Sequence, residues 1–428
     1  MNRKFEQYVV FALVGVTILV SCSANNPNMG DSENAGASSM NSPINNIAEI
    51  QEATLYPTQM APTETITPPS ITIENQCVSL VESFFNIAPE GVIVLGGSLV
   101  DLETGERVVL DNSGAFLHFA ISTDQKILAL KDPVSGKTLL LNSQGQRISE
   151  VEAPVPGEFV PRVWLDEDHL VLVNLNDRIG RTPLYIKDIT TGEVDVVSPN
   201  LEDIRIIKDG IGYFWDPFGH QSRLSPSPDL HFLVYPSTDN QLVVWDLIEG
   251  RETFRIPAYD LITYPWWTRD GTKFLTTLLT SEIESDFSGH EDGSELVFIT
   301  PEGEISRLTH LSEDSYVLQY YYVLSPDNSK VAFSLDEIGD GDVDGPNAPH
   351  DLAVLDLNTG VVTDYCIKIV DYPSWSPEGN YLLVVGSLDE KSGWADLETY
   401  FIDLQNNTAV MVSENELGDQ IGWLVSEP

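Results

Sequence analysis

Positive charge is scarce in this sequence. Lys and Arg total 22 among 428 residues, against 66 Asp and Glu, a balance of −44 at pH 7. Nucleic acid is thereby excluded as a partner, because holding phosphates needs clustered cationic side chains. Docking of the protein surface on anionic lipid is disfavoured for the same reason. The seven histidines are scattered, and no pair has zinc-ligand spacing. Neither G-x-S-x-G nor H-E-x-x-H occurs, so a nucleophile elbow and a zinc-protease helix are both missing. VSGKT at Val134 ends like a phosphate loop, but Lys131 stands where that loop needs its first Gly. Carboxylates are too abundant for any pair to stand out as a glycosidase dyad. Long apolar runs are missing as well. The run from Val9 to Val20 is shorter than the roughly 20 residues of a membrane-spanning helix.

That short run has the form of an export signal. Arg3 and Lys4 precede it, and LVSC, Leu19 to Cys22, follows. A basic start, an apolar stretch and a small-residue cleavage site make a secretory signal. LVSC resembles the bacterial lipobox. The resemblance implies that Cys22 is acylated on sulfur and becomes the mature N-terminus. It further implies anchorage in the bacterial cell envelope on the extracytoplasmic side, at the outer membrane or cell surface. Residues 22 to 75 are rich in Ser, Asn, Thr and Pro and contain no Lys or Arg. Such a composition stays disordered. As a flexible coil it would reach about 40 Å. The expected organisation is a signal peptide over 1–21, a lipidated cysteine and tether over 22–75, and a folded body over 76–428. The two cysteines left after export, Cys77 and Cys366, either form one disulfide or remain as two buried thiols.

The body is repetitive. An apolar strand, a polar residue, a Gly or Asn turn and a second strand recur, as in SLVDLETGERVVL at Ser98, LYIKDITTGEVDVV at Leu184 and LAVLDLNTGVVTDY at Leu352. Each reads as a hairpin. Their turn residues, from Gly105 to Asn407, recur every 40 to 58 residues, the period of four-stranded propeller blades. Ahead of six of the seven hairpins lies a second pattern, two strands around a Ser-Pro-Asp-type turn. VLSPDNSKVAFS at Val323 and SWSPEGNYLLVV at Ser374 are the clearest cases. The first hairpin lacks that partner upstream, but IGWLVSEP at the C-terminus supplies a lone opening strand. The expected fold is all-β, a seven-bladed β-propeller of four-stranded blades whose first blade is closed by the C-terminal strand. Closure removes open sheet edges. Turns such as SPDN at Ser325 and SPEG at Ser376, with the dipeptide Trp245-Asp246, resemble TolB-like propellers and the wider WD-type class. The α/β domain that precedes the propeller in TolB is not found in this sequence, so the resemblance implies the fold rather than TolB's role.

Added length falls in links expected on one face: from Thr280, from Asp336, from Ser387 and between Leu201 and His220. Long loops on a rigid scaffold are where binding concentrates. Within one of them, DGDVDG places Asp340, Asp342 and Asp344 at alternate positions. The spacing resembles the first half of an EF-hand-type calcium loop, with the Pro346 carbonyl and Asp351 at the seventh and twelfth positions. Either a structural calcium ion sits there or the loop is a solvated acidic turn. Glu284, Asp286, Glu291 and Asp292 in the neighbouring loop lack that regularity. Trp266, Trp267, Trp375, Tyr372, Tyr320 and Tyr322 stand at opening strands and read as packing residues. Trp215, Phe218 and Trp394 lie in long loops and are the candidates for stacking on a ligand. Two functional readings remain open. One is a non-catalytic binding or scaffold protein for an envelope or extracellular protein, glycan or peptide. The other is a propeller-type hydrolase or lyase acting on an extracellular polymer.

Overall fold

The computed structural model describes residues 72–81, 91–95, 97–110, 119–132, 134–174, 184–197, 225–237, 241–257, 265–283, 293–314, 316–337, 350–370, 373–388, 397–414 and 421–425. Among them the structure is almost entirely antiparallel sheet, with one single-turn helix at Thr280–Ile283 and one 3-10 turn at Leu311–Asp314.

Four consecutive strands make one sheet, and the unit repeats along the chain. Phe119–Ile121, Leu128–Lys131, Thr138–Leu141 and Arg147–Val151 form one such sheet. Further four-stranded sheets begin at Phe159, at Ser225 and at Trp266. Two more sets of four, beginning at Tyr316 and at Ser374, are fused through the pairing of Lys368 with Ser387 and Ile369 with Gly386. The remaining sheet draws on both ends of the body. Ile421–Leu424 pairs with Val92–Leu95, which continues into Ser98–Asp101 and Arg107–Val109.

Strand periodicity explains how the sheets pack. Successive side chains point to opposite faces, so a strand covered on both sides must be apolar throughout. Val92–Leu95 is buried at every position, and the outermost Arg107–Val109 is exposed at every position. Neighbouring residues therefore serve different clusters. Val331 and Phe333 pack with Leu275 and Phe298 of the preceding sheet, whereas Ala332 between them packs with Trp375 and Leu382 of the following one. The same division repeats at each junction. Leu383 and Phe401 near the C-terminal end meet Ile93 and Trp423, and Leu424 and Val92 meet Leu128. Sheets stacked this way, with their innermost strands turned toward one cavity, make a β-propeller.

Two turn motifs hold the strands in register. In the first, Ser122, Ser227, Thr268 and Ser325 donate to Asp124, Asp229, Asp270 and Asp327 at 2.6–2.7 Å. The Ser hydroxyls also accept backbone N–H groups as the next strand begins, from Ile127, Phe232 and Lys330 at 2.9 Å. In the second, Asp101, Asp188, Asp246, Asp356 and Asp403 accept the N–H groups of the following turn. These are Asx and Ser/Thr turns, which is why Ser, Thr and Asp recur there.

The segment before the first sheet is also ordered from Thr72. Thr72–Asn75 adds in parallel to the strand beginning at Val361, and Ser79 and Leu80 add to Thr408 and Ala409. This strap starts within the stretch assigned to the tether by composition. TIEN qualifies as a strand through an edge offered almost 290 residues later and the apolar neighbours of Ile73. Cys77 and Cys366 form a disulfide between strap and sheet across a sequence separation of 289. Cross-linking of this kind is worth roughly 2–5 kcal/mol, chiefly by restricting the unfolded chain.

The Ser/Asp turn demands a left-handed residue at its fourth position. Gly271 and Gly379 supply it without cost, but Gln125 and Leu230 adopt φ of 59° and 57° there. Replacing Gln125 by Gly is expected to raise unfolding stability by up to about 1 kcal/mol, and Gly379→Ala to lower it by a similar amount. Urea titration of both variants checks the pair.

Candidate functional site

The innermost strands and the turns that follow them enclose one cavity of about 860 Å³. Every sheet contributes to the wall, through Phe119, Trp164, Pro226, Trp266, Val323, Trp375 and Trp423 among others. The mouth is built from the Ser/Asp turns, with Thr123, Asp166, Asp229, Arg269 and Asn328 around it.

Tryptophans fix this wall. Trp164 Nε1 donates to the Ala120 carbonyl at 3.2 Å, Trp267 Nε1 to Ser225 at 3.0 Å, and Trp375 Nε1 to Val323 at 3.2 Å. Each bond joins the innermost strand of one sheet to that of the sheet before it, at the same place in the repeat. Trp423 occupies the equivalent wall at the junction of the chain's ends. It lies so close to Gly91 that a Cβ there would come within 2.5 Å of Trp423 Nε1. The aromatics expected to be packing residues at opening strands thus include two, Trp267 and Trp375, that stitch sheets together. Trp164 and Trp423 share that wall and were not singled out by sequence.

Among the described residues, one charged residue sits on the wall itself. In the strand Phe159–Trp164, Pro161 pairs with Leu172 and Val163 with Val171, so Arg162 is the extra residue of a bulge. Bulges re-aim side chains, and Arg162 lines the cavity with 7% of its surface exposed. The other charged lining residues stand on turns at the mouth. Asp166 bonds the His169 ring at 2.8 Å, Asp168 accepts from Thr190 at 2.8 Å, and Asp229 accepts from Ser227. Partial burial opposes ionisation of Asp166, but the N–H donors of Asp168 and His169 outweigh it and hold the carboxyl below the usual range.

Most residues selected from sequence are not among those described. Cys22, Trp215, Phe218, Trp394, Asp340, Asp342, Asp344 and Pro346 fall outside the described residues. So do Glu284, Asp286, Glu291 and Asp292. Asp351 is described. It opens the strand His350–Asp356 half-buried, with its Oδ2 2.9 Å from Lys368 Nζ. Burial raises its pKa and Lys368 opposes that rise. A cation at Asp351 would have to displace the lysine, so this residue alone fits calcium poorly. Among the described residues no group of three His, Cys, Asp or Glu is arranged to hold a metal. Next to it, His350 Nδ1 meets Asp336 at 2.6 Å.

No protein-family model matches the sequence, and no curated protein matches it. Solved structures do resemble it. TolB from Acinetobacter baumannii is 15% identical with a TM-score of 0.42, over 76% of this chain and 78% of that one. The β-propeller domain of Cps50 (Swd1) from Myceliophteria thermophila is 13% identical with a TM-score of 0.42, over 73% and 92%. Hydrazine synthase from Kuenenia stuttgartiensis is 15% identical with a TM-score of 0.37, over 67% and 76%. Likeness at this distance adds nothing about activity. The class of the chain, an all-β propeller, rests on its own strand pairing and packing.

The turn carboxylates make acid sensitivity predictable. The Thr268 hydroxyl holds Asp270 low, and the Thr191 N–H does the same for Asp188. A carboxyl depressed in the folded state adds stability above its unfolded pKa, and that stability is lost as pH falls through the folded value. Self-repulsion from the −44 balance works in the opposite direction and eases as pH falls. Calorimetry is therefore expected to show Tm rising modestly from pH about 8 to about 5 and falling steeply below about 4. A Tm still climbing below pH of about 3 would contradict the role given to these turns.

Proposed function

We propose that the chain is an exported, lipid-anchored propeller of seven blades closed into a ring, and that it works by binding rather than catalysis. The seven-blade count is supported by the sets of four strands and by the packing of Leu383 and Phe401 against Ile93 and Trp423. Closure is supported by the pairing of Ile421–Leu424 with Val92–Leu95. The observation that carries the binding reading is the cavity. It is mostly apolar, is walled by every sheet, and has a mouth of hydrogen-bonded turns. Such a concave, preformed, aromatic-lined site suits ligand capture. Its partner would be an envelope or extracellular protein, glycan or peptide, reached from a lipid on Cys22 through the residues ahead of Thr72.

Cross-linking of intact cells, with recovery through a C-terminal tag and mass spectrometry, tests this reading. A stoichiometric envelope partner is expected. Its loss in Arg269→Glu would assign it to the cavity mouth. Its loss on trimming the loops after Asp336 and Ser387 would assign it to the long-loop face. Absence of any partner would count against the macromolecular reading, and an unmodified Cys22 in the mature protein would remove the anchor.

Calcium remains part of the proposal as a structural ion on Asp340, Asp342, Asp344 and the Pro346 carbonyl, with Asp351 completing the set only if Lys368 moves aside. Thermal unfolding is expected at higher temperature in calcium than in chelator. Identical curves would dispose of the site.

A further inference from the structure

We propose that the central cavity is a site for a small organic carboxylate, its charge meeting Arg162 and its apolar body lying against the wall tryptophans. The inference rests on the binding reading above and adds the chemistry of the ligand.

Arg162 is placed there at a cost. Its strand departs from regular pairing so that one residue, the arginine, is left opposite no partner in the ladder. The departure brings a guanidinium to a wall whose other described strand residues are uncharged, Val163, Trp164 and Trp266 among them. Burying a cation in such surroundings is unfavourable unless acceptors meet it. Arg162 already has a partner within the protein. A guanidinium offers five N–H donors in a planar fork that matches a carboxylate.

The distribution of charge around the cavity favours the same ligand class. Among the described lining residues, Arg162 is the only charged group on a strand. The acidic lining residues, Asp166, Glu167, Asp168 and Asp229, all stand on turns at the mouth. Three of them are occupied by His169, Thr190 and Ser227. Arg269, also at the mouth, is exposed and on another sheet. A chain carrying a balance of −44 repels polyanions over its whole surface. A small monoanion pays little of that repulsion, which is screened beyond about 8 Å at physiological salt. The indoles on the wall then suit an apolar or aromatic body. The volume of about 860 Å³ lies within the range of small-molecule sites.

The test compares an acid with its neutral isostere on the mature protein by isothermal calorimetry, using 4-phenylbutyrate and 4-phenylbutyramide. The acid is expected to bind about tenfold or more tightly than the amide, as a charge-assisted bidentate contact requires. Arg162→Gln is expected to bring the acid down to the level of the amide, and Arg162→Lys to restore part of the difference. Val163→Trp, which fills the cavity, is expected to abolish binding of both. The acid–amide comparison needs no variant, so it stands even if Arg162→Gln does not fold. Equal binding of acid and amide would overturn the carboxylate inference and leave the cavity as a binding site. Binding of neither, up to millimolar concentration, would overturn the inference and the cavity reading together.

Discussion

Everything in the body depends on one pairing between the ends of the chain. Ile421–Leu424 supplies the innermost strand beside Val92–Leu95. Each sheet buries both faces, so each needs a neighbour on either side. Without the C-terminal strand, Trp423 would leave the cluster shared with Ile93 and Phe401, and Leu424 would leave the one shared with Val92 and Leu128. Two interfaces would open at once, along with a row of unpaired N–H and C=O groups. The strap adds a second fastening on the outside. It crosses the outer strands of the last two sets and is clamped by Cys77–Cys366. One fastening acts at the axis of the stack and the other at its rim. The set beginning at Ser374 is engaged by both, through Thr408 and Ala409 at the rim and through Leu383 and Phe401 against Trp423.

The strands and their order were legible because two local chemistries repeat. Asp followed by Gly or Asn four residues on marks one hairpin, and Ser or Thr followed by Asp two residues on marks the other. Both reflect hydrogen bonds made within a few residues, which sequence records directly. The pairing of the last strand with the first sheet was also readable, since a lone opening strand and a sheet lacking one imply each other. The strap was not. TIEN resembles the polar chain before it, and the edge that makes it a strand lies at Val361–Asp364. Local composition carries no trace of a partner so remote.

The cavity illustrates a different limit. Its wall takes two or three residues from the innermost strand of each sheet, so no stretch of sequence contains the site. FVPRVW reads as a strand with an arginine somewhere along it. Whether Arg162 faces inward depends on a bulge that shifts the register by one residue, and such a shift reverses which face a side chain meets. The residues favoured from sequence came instead from long loops, where length itself is the signal, and those loops lie outside the described residues. Asp351, the described member of the calcium set, has its carboxylate committed to Lys368. Spacing alone identifies oxygen ligands but cannot reveal a competing cation brought alongside by the adjacent strand.

The tryptophan bonds connect the fold to the proposed closure. Trp164, Trp267 and Trp375 each donate backward to the preceding sheet, whose own residue at that position is Ile121, Pro226 or Leu324. Such residues cannot return the bond, so the sheets are joined in pairs. The proposed count of seven leaves one set without such a partner. The set left over is the one made from the two chain ends, and there Trp423 Nε1 is buried without an acceptor among the described residues. A buried donor left unmet costs about 1–3 kcal/mol. That junction is held instead by strand pairing and by apolar packing against Ile93 and Phe401. Gly91 beneath the indole is what lets the two terminal segments approach so closely, because any side chain there would strike the ring. The seam between the termini is therefore held by shape and backbone pairing, whereas an indole bond recurs at three other junctions, from Trp164, Trp267 and Trp375.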